Sequence, residues 1–390
     1  MSVPSSHTRW PVGAAVLCLA AGMLCGAWGG RALPRLTEHA RLLQSVSEAA
    51  VVISLFCVGL RLPAALEWPV WRLPMQLASL TMLVTAGLIA GAATVFLGLS
   101  FPHALLLGAI LAPTDPVLGD ASWSSAHEGQ HAVRFTLAAE GALSSALALP
   151  LVVFALALAG HYDAGPLLIR WVALDLLWGI TGALALGWMI GVGAAYVFAR
   201  LDASAKPGVL ELLLLLCAVA LGYGGAYLVH VNGLLAVLAA GSTLARGGKA
   251  RLRRSMVQVL PRGAANVAGR IEQGIELAIV VLVGALLAVS ELRVGLFLFA
   301  LLVLVAARPI AARTGLAGIR APEPVRRVVV WFGIRGIASL YYLAYAVDQG
   351  LGAPLAEELT VITLAVVATS IAMHALTALP LLKPPVNQEG

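Results

Sequence analysis

Charged residues are scarce in this chain of 390 residues. Asp, Glu, Lys and Arg together make up 11% of it, whereas 60% of the residues are hydrophobic. An ordinary soluble domain is about 25% charged and about 45–50% apolar. This composition excludes a water-soluble enzyme or binding domain and predicts a polytopic membrane protein of the all-α class.

Motifs for metal, redox and nucleotide chemistry are also missing. The four cysteines lie singly in apolar runs and form no C-x-x-C pair, and the eight histidines have no metal-ligand spacing. No glycine-rich loop that ends in lysine is present to bind the phosphates of ATP. We therefore expect no cofactor, no resident metal and no enzymatic activity. The net charge of +6 is concentrated in a few loops, which is typical of membrane topology rather than of nucleic-acid binding.

Apolar runs long enough to span a bilayer recur along the whole chain. A membrane helix needs about 20 apolar residues, and this criterion predicts about twelve helices in one transmembrane domain over residues 1–390. The runs lie near residues 12–30, 46–60, 76–98, 103–119, 135–160, 169–199, 209–229, 233–246, 272–290, 294–312, 326–347 and 359–381. The first run could also be the core of a secretory signal behind Arg9, but the later runs favour a membrane helix.

Positive charges predict how these helices are oriented. With both termini in the cytoplasm, 19 Lys and Arg residues fall on the inner side, 5 fall on the outer side and Arg335 falls within the membrane, which accounts for all 25. The positive-inside rule therefore supports twelve helices in a bacterial inner membrane with both termini cytoplasmic. The most basic stretch, near residues 246–270, is expected to be a cytoplasmic loop that sets topology, although it could also bind anionic lipid.

Two of the apolar runs combine a charge with helix-breaking residues. They are Leu111-Ala-Pro-Thr-Asp-Pro116 and Trp331-Phe-Gly-Ile-Arg-Gly336. A charge within a membrane helix costs several kcal/mol and is usually kept for a pathway or a partner. Interrupted backbone is tolerated there only where a cavity or a neighbouring helix satisfies it. The two runs are the fourth and the eleventh, so they cross in opposite directions, which predicts inverted repeats with two crossed discontinuous helices and a midplane ion site.

Asp115, next to Thr114, is the first candidate for that ion site. An ionised carboxylate with freed carbonyl groups nearby can replace the hydration shell of a small cation, whereas protonation removes the charge and releases the ion. Because one carboxylate cannot hold both, this competition is a physical route to cation/proton exchange. The alternative is a Thr-Asp cap that opens a cytoplasmic helix, which the following Pro116 would also suit.

Further charges in the apolar runs need partners. Glu140 would stay ionised beside an arginine, for which Arg308 and Arg335 are the candidates. Arg335 keeps its charge in proteins, so we expect it to be a fixed counter-charge for Asp115 or for the carbonyl groups of the opposing half-helix. Glu276 also lies in an apolar run, and hydrogen bonding between helices is its default interpretation.

Longer stretches around these charges carry a family resemblance. They are Ala112-Pro-Thr-Asp-Pro-Val117, Arg134-Phe-Thr-Leu-Ala-Ala-Glu140 and Trp331-Phe-Gly-Ile-Arg-Gly-Ile-Ala-Ser-Leu-Tyr-Tyr342, supported by 54–61, 232–237, 307–309 and 370–374. In this order they resemble bacterial monovalent cation:proton antiporters, relatives of the animal sodium/proton exchangers. The resemblance runs from about residue 45 to residue 382. It implies a twelve- or thirteen-helix fold, a crossed pair of broken helices and a homodimer with an elevator-like moving core.

The chain departs from that family at one place that matters for its chemistry. The resemblance would place Asn-Asp four and five residues after the glutamate that corresponds to Glu140, but Ser144 and Ser145 stand there. In the family that aspartate is the main carboxylate for the cation and the proton. The principal ligand of the family therefore has no counterpart at Ser145.

Loss of that aspartate changes the expected charge of the site. If Asp115 and Glu140 meet Arg308 and Arg335, their charges sum to about zero. One further acid would leave one negative charge, which suits one cation or one proton. Hydroxyl groups at Ser144 and Ser145 can coordinate Na⁺ but do not exchange a proton near neutral pH. Either Asp115 takes over the exchange, another acid such as Glu276 or Asp120 contributes, or transport is altered or lost.

Three functions fit these observations. The leading hypothesis is a secondary antiporter that exchanges Na⁺ or K⁺ for protons. The residues expected to line its ion site are Thr114, Asp115, Ser144 and Ser145, and those expected to hold its architecture are Glu140, Arg308 and Arg335. The second hypothesis is a transport-incompetent homologue that acts as a regulatory or interaction subunit. The third is a transporter of another solute, such as an anion, that uses the surplus arginines. Membrane lipids are expected partners, and nucleic acid is not.

Overall fold

A computed structural model describes residues 12–29, 39–62, 67–116, 128–200, 209–252, 262–290, 293–319 and 323–382. Every regular element in these ranges is helical. In chain order the helices are α1 (Val12–Gly29), α2 (Ala40–Arg61), α3 (Trp68–Leu97), α4 (Phe101–Leu111), α5 (Glu128–Leu158), α6 (Pro166–Phe198), α7 (Val209–Leu228), α8 (Gly233–Leu252), α9 (Arg262–Ala288), α10 (Val294–Gly315), α11 (Glu323–Trp331), α12 (Ile337–Asp348) and α13 (Ala353–Leu382).

Eight of these helices are long and apolar enough to cross a bilayer, and three shorter apolar helices accompany them. Their outward faces carry large exposed hydrophobic side chains, among them Trp188 on α6 and Leu221 on α7. Such a surface is stable against lipid rather than water, so the chain is an all-helical, multi-pass membrane protein. Each predicted apolar run overlaps one helix, except that the eleventh overlaps both α11 and α12.

The basic stretch near residues 246–270 differs from its prediction as a loop. Helix α8 continues to Leu252 and helix α9 begins at Arg262, so both ends of the stretch are helical. Residues 253–261 lie outside the described part of the chain. Arg, Lys, Ala and Leu are good helix formers, and an apolar criterion does not detect the polar turns that they add to a membrane helix.

Helix α10 contains a π-helical stretch, Leu302–Ala307, which ends directly before Arg308. A π-helical turn carries extra residues relative to the α-helix and so rotates the side chains that follow it. This irregularity helps to determine the direction in which Arg308 leaves its helix. No feature of the sequence predicted it.

Helices α1 and α9 pack closely through glycine. A Cβ atom added to Gly284 would overlap the carbonyl oxygen of Leu19, and one added to Gly22 would overlap the carbonyl oxygen of Val281. Small residues of this kind let membrane helices approach backbone to backbone, which is a main source of their packing energy. This contact fixes the position of α9, which carries Glu276.

We expect the Gly284→Ala substitution to destabilise the protein by about 1–3 kcal/mol, because the added methyl group has no space and forces the two helices apart. The measurement is the thermal unfolding midpoint of the purified protein in detergent. Gly274→Ala is the matched control, since Gly274 lies on the same helix with nothing within 4 Å of an added Cβ. Equal midpoints for the two variants would contradict the close packing.

Candidate ion site at two interrupted helices

The two interruptions predicted from the sequence lie against each other. The backbone is not helical over residues 112–115, after α4, or over residues 332–336, between α11 and α12. The backbone N–H of Asp115 donates a hydrogen bond to the carbonyl oxygen of Ile334 at 2.7 Å. The freed backbone of one interruption is therefore satisfied by the other, as a membrane interior requires.

The Asp115 side chain caps the N-terminus of α12, the helix that follows the other interruption. Its Oδ2 accepts a hydrogen bond of 3.1 Å from the backbone N–H of Ile337, the first residue of α12. The N-terminus of a helix has unsatisfied N–H groups and a partial positive charge, so it stabilises a carboxylate. Asp115 is buried, and a Cβ atom at Gly336 would overlap its carboxylate, which explains the glycine there. The alternative was a Thr-Asp cap that opens a cytoplasmic helix, and the residues of that helix after Pro116 lie outside the described part of the chain.

Arg335 makes the complementary contact in the other direction. Its Nη1 donates to the carbonyl oxygens of Ala112 and, at 3.0 Å, of Pro113, at the C-terminal end of α4. The side chain is completely buried, and the backbone N–H of Arg335 donates to Ser370 Oγ on α13 at 3.0 Å. Of the two partners considered for this arginine, the structure selects the carbonyl groups of the opposing half-helix. A cation suits this end of a helix because the partial charge there is negative.

Helix α5 places Thr114, Ser144 and Ser145 side by side. Ser144 Oγ lies 3.2 Å from the backbone nitrogen of Thr114 and 3.3 Å from its hydroxyl oxygen. Ser145 Oγ donates to the carbonyl oxygen of Thr114 at 3.1 Å. Both serines are buried. A Cβ atom at Gly141 would overlap the backbone of Pro116, so α5 and the interruption are in close contact.

Glu140 and Arg308 form a buried ion pair. Arg308 Nη1 lies 2.6 Å from Glu140 Oε1, and both side chains are at most 3% exposed. Arg308 Nη2 also donates to the carbonyl oxygens of Val329 and Phe332, at 3.2 and 3.0 Å, at the C-terminal end of α11. Of the two arginines considered as partners for Glu140, the structure selects Arg308. This pair connects α5, α10 and α11 around the place where the two interruptions, residues 112–115 and 332–336, contact each other. We call this place the crossing.

Glu276 lies at the crossing rather than in a separate contact between helices. Its buried carboxyl group is hydrogen bonded to that of Asp115. One turn earlier in α9, Glu272 pairs with Arg61 on α2 at 2.7 Å. Asp120, the other additional acid considered from the sequence, lies outside the described residues. The structure therefore brings one of the two extra acids to Asp115.

Two residues that sequence reasoning did not select support α5 beside the site. The Tyr342 hydroxyl donates to the carbonyl oxygen of Ser145 at 2.5 Å, and Asn232 Nδ2 donates to the carbonyl oxygen of Ala146 at 2.7 Å. These contacts hold the backbone of α5 against α12 and α8. Both residues lie in the stretches that carry the family resemblance, but neither has a charge that would mark it.

Comparison with protein families identifies the chain. Residues 2–383 match the model of the sodium/hydrogen exchanger, transmembrane. The chain belongs to this family. Its members are transporters that carry out cation:proton antiport, not enzymes.

Known proteins agree with this assignment. The Na(+)/H(+) antiporter 2 of Zygosaccharomyces rouxii is 30% identical over 156 residues, which are 37% of this chain and 19% of that protein. The chain thus matches about a fifth of the length of this curated relative. Two structures of the sodium proton antiporter MjNhaP1 from Methanocaldococcus jannaschii share the fold of this exchanger-family chain. The structure at pH 8 has a TM-score of 0.71 at 20% identity and covers 95% of this chain and 92% of the other. The electron-microscopy structure has a TM-score of 0.75 at 19% identity, with 96% and 92% coverage.

We expect Glu140→Gln to destabilise the protein by about 3–5 kcal/mol, because it leaves Arg308 buried without its counter-charge. The control is Glu323→Gln on α11, whose pair with Arg327 is exposed and therefore worth no more than about 1 kcal/mol. The measurement is the thermal unfolding midpoint in detergent. If the two variants lose the same stability, the ion pair does not hold the crossing together.

Proposed function

We propose that this protein is a secondary active antiporter that exchanges a monovalent cation, Na⁺ or K⁺, for protons, and that Asp115 carries the exchange. The observation that carries the proposal is the buried Asp115 carboxylate at the crossing of two interrupted helices. Membership of the sodium/hydrogen exchanger family supports the same conclusion.

The chemistry is a competition for one group. An ionised Asp115 attracts a dehydrated cation, and a proton on the same carboxyl group removes that attraction. Thr114, Ser144 and Ser145 supply neighbouring hydroxyl oxygens, which can complete the coordination of a small cation but do not exchange protons near neutral pH. Arg335 stays charged and so acts as a fixed counter-charge.

The proposal includes the replacement of the family's Asn-Asp pair by Ser144 and Ser145. It follows that the acid which exchanges the proton lies elsewhere at the crossing. The same replacement motivates the second candidate function, a homologue that does not transport and acts as a regulatory or interaction subunit. Anion transport is less well supported. The buried carboxyl groups of Asp115, Glu140 and Glu276 outnumber the two guanidinium groups at the crossing, and this disfavours an anion.

The proposed architecture is a single transmembrane domain of twelve membrane crossings, in which α4 and the pair α11 and α12 are the two discontinuous helices of inverted repeats. The hydrogen bonds between the two interruptions support this arrangement. We place the protein in a bacterial inner membrane with both termini cytoplasmic, on the strength of its basic residues. The family resemblance further implies that the protein is a homodimer.

The orientation is testable with fusions expressed in bacteria. Green fluorescent protein fused to the C-terminus should fluoresce, because that end is expected in the cytoplasm. Alkaline phosphatase fused after residue 160, in the turn that follows α5, should be active, because that turn is expected on the outer side. The reverse pattern would overturn the orientation.

Transport itself is testable in everted vesicles or proteoliposomes. Addition of Na⁺, K⁺ or Li⁺ should dequench a pH-sensitive dye when the wild-type protein is present. Asp115→Asn should abolish this signal, because the amide cannot exchange a proton. The matched control is Asp163→Asn, which changes an exposed aspartate paired with Arg170 and should leave exchange unchanged.

Two outcomes would count against the proposal. Silence of folded wild-type protein with every cation between about pH 6 and 9 would favour the non-transporting homologue. Wild-type exchange that persists undiminished in Asp115→Asn would show that the site lies elsewhere.

A further inference from the structure

Helix α9 brings a second buried carboxyl group to Asp115. Glu276 is 4% exposed, and its carboxyl group is hydrogen bonded to that of Asp115. Among the described residues, its Oε1 atom is buried without a hydrogen-bond partner. A hydrogen bond between two carboxyl groups needs one proton, because two ionised carboxylates in contact repel each other. The two groups can therefore stay in contact only when a proton or a cation neutralises one of their charges.

The charged groups that act on Glu276 do not neutralise this pair. They are Asp115 itself, Glu272 on the same helix and Arg61 on α2. Because Glu272 and Arg61 are paired with each other at 2.7 Å, their charges cancel. Among the described residues, the positive charge that acts on Glu276 is that of Arg61, which is already paired with Glu272.

The net charge of the crossing follows from its buried arginines and carboxyl groups. The arginine–glutamate pair between α10 and α5 sums to zero. Arg335 donates to the carbonyl oxygens of α4 and adds one positive charge to the crossing, where Asp115 and Glu276 bring two carboxyl groups. When both are ionised, one negative charge remains, and either one proton or one monovalent cation neutralises it.

We propose, on the basis of the antiport function proposed above, that Glu276 supplies the carboxylate missing at Ser145. Together with Asp115 it forms a two-carboxyl site that takes either one proton or one monovalent cation. The proton leaves the pair when the cation enters, and charge is conserved.

The surroundings of Ser145 agree with a site whose second carboxyl group lies on α9 instead of α5. The Ser145 hydroxyl donates to the carbonyl oxygen of Thr114, and its own carbonyl oxygen accepts from Tyr342. These are neutral hydrogen bonds that link α5 to its neighbours. The acidic function at the crossing is supplied from the opposite side, by a helix that α1 holds in place.

A purely structural role for Glu276 makes a different prediction. A hydrogen bond that only ties α9 to the crossing would survive in Glu276→Gln, since the amide has a similar shape and can still donate to Asp115. A role in exchange would not survive, because the amide cannot release a proton or carry the charge that attracts a cation. The glutamine variant therefore separates the two roles.

The first experiment measures Na⁺-dependent proton exchange in proteoliposomes. Glu276→Gln should lower the rate by about 10²-fold or more, whereas Glu276→Asp should retain part of it. Glu211→Gln is the matched control, because Glu211 is also a buried glutamate in a membrane helix but lies on α7. Its Oε2 atom, like Oε1 of Glu276, has no hydrogen-bond partner among the described residues. This variant should exchange at the wild-type rate. Thermal midpoints close to wild type verify folding.

The second experiment places a carboxylate at position 145, where the family resemblance would have an aspartate. The double variant Glu276→Gln with Ser145→Asp should exchange about tenfold faster than Glu276→Gln alone, because it regains one carboxylate at the crossing. A structural defect at Glu276 would not be repaired by a new acid on α5. A folded double variant with no gain would overturn the replacement.

The outcomes distinguish this inference from the proposed function. If wild-type protein exchanges no cation, the antiport function fails. If wild-type protein exchanges and Glu276→Gln exchanges equally well, antiport stands and the role of Glu276 is wrong.

Discussion

The crossing depends on a reciprocal contact in which each half-helix end meets the charge carried by the other segment. Asp115 accepts from the first backbone N–H of α12, and Arg335 donates to the last carbonyl groups of α4. The acid thus lies at a positive helix end and the base at a negative one. This explains why each interruption carries its own sign of charge. With the charges exchanged, both would face helix ends of like sign.

This contact explains much of the surrounding structure. Gly336 leaves space for the Asp115 carboxylate, and Ser370 accepts from the backbone of the second interruption. The ion pair of Glu140 and Arg308 satisfies the C-terminal carbonyl groups of α11 through the arginine. Charges at this depth are costly in isolation. They are tolerated because helix ends and opposite charges surround them, and the arrangement that stabilises the fold is also the ion site that we propose.

Charge at the crossing is a property of the assembled helices rather than of one motif. The replacement of an acid by serine that we propose at position 145 concerns one motif on α5. The folded chain has Glu276 beside Asp115, contributed by a helix more than a hundred residues later in the sequence. The number of carboxyl groups at the proposed site is therefore known only from the three-dimensional structure.

The sequence by itself determined the membrane helices, the two interruptions and the candidate charges, because hydropathy and the helix-breaking effect of Pro and Gly are local. It also indicated the exchanger family. It did not predict that the helices on both sides of the basic stretch extend to Leu252 and from Arg262, because polar helical turns carry no hydropathy signal. Only the tertiary structure decided that Glu140 pairs with Arg308, that Arg335 binds the carbonyl groups of α4 and that Glu276 contacts Asp115. These choices depend on which helices pack together, and side chains distant in sequence meet only after that packing is complete.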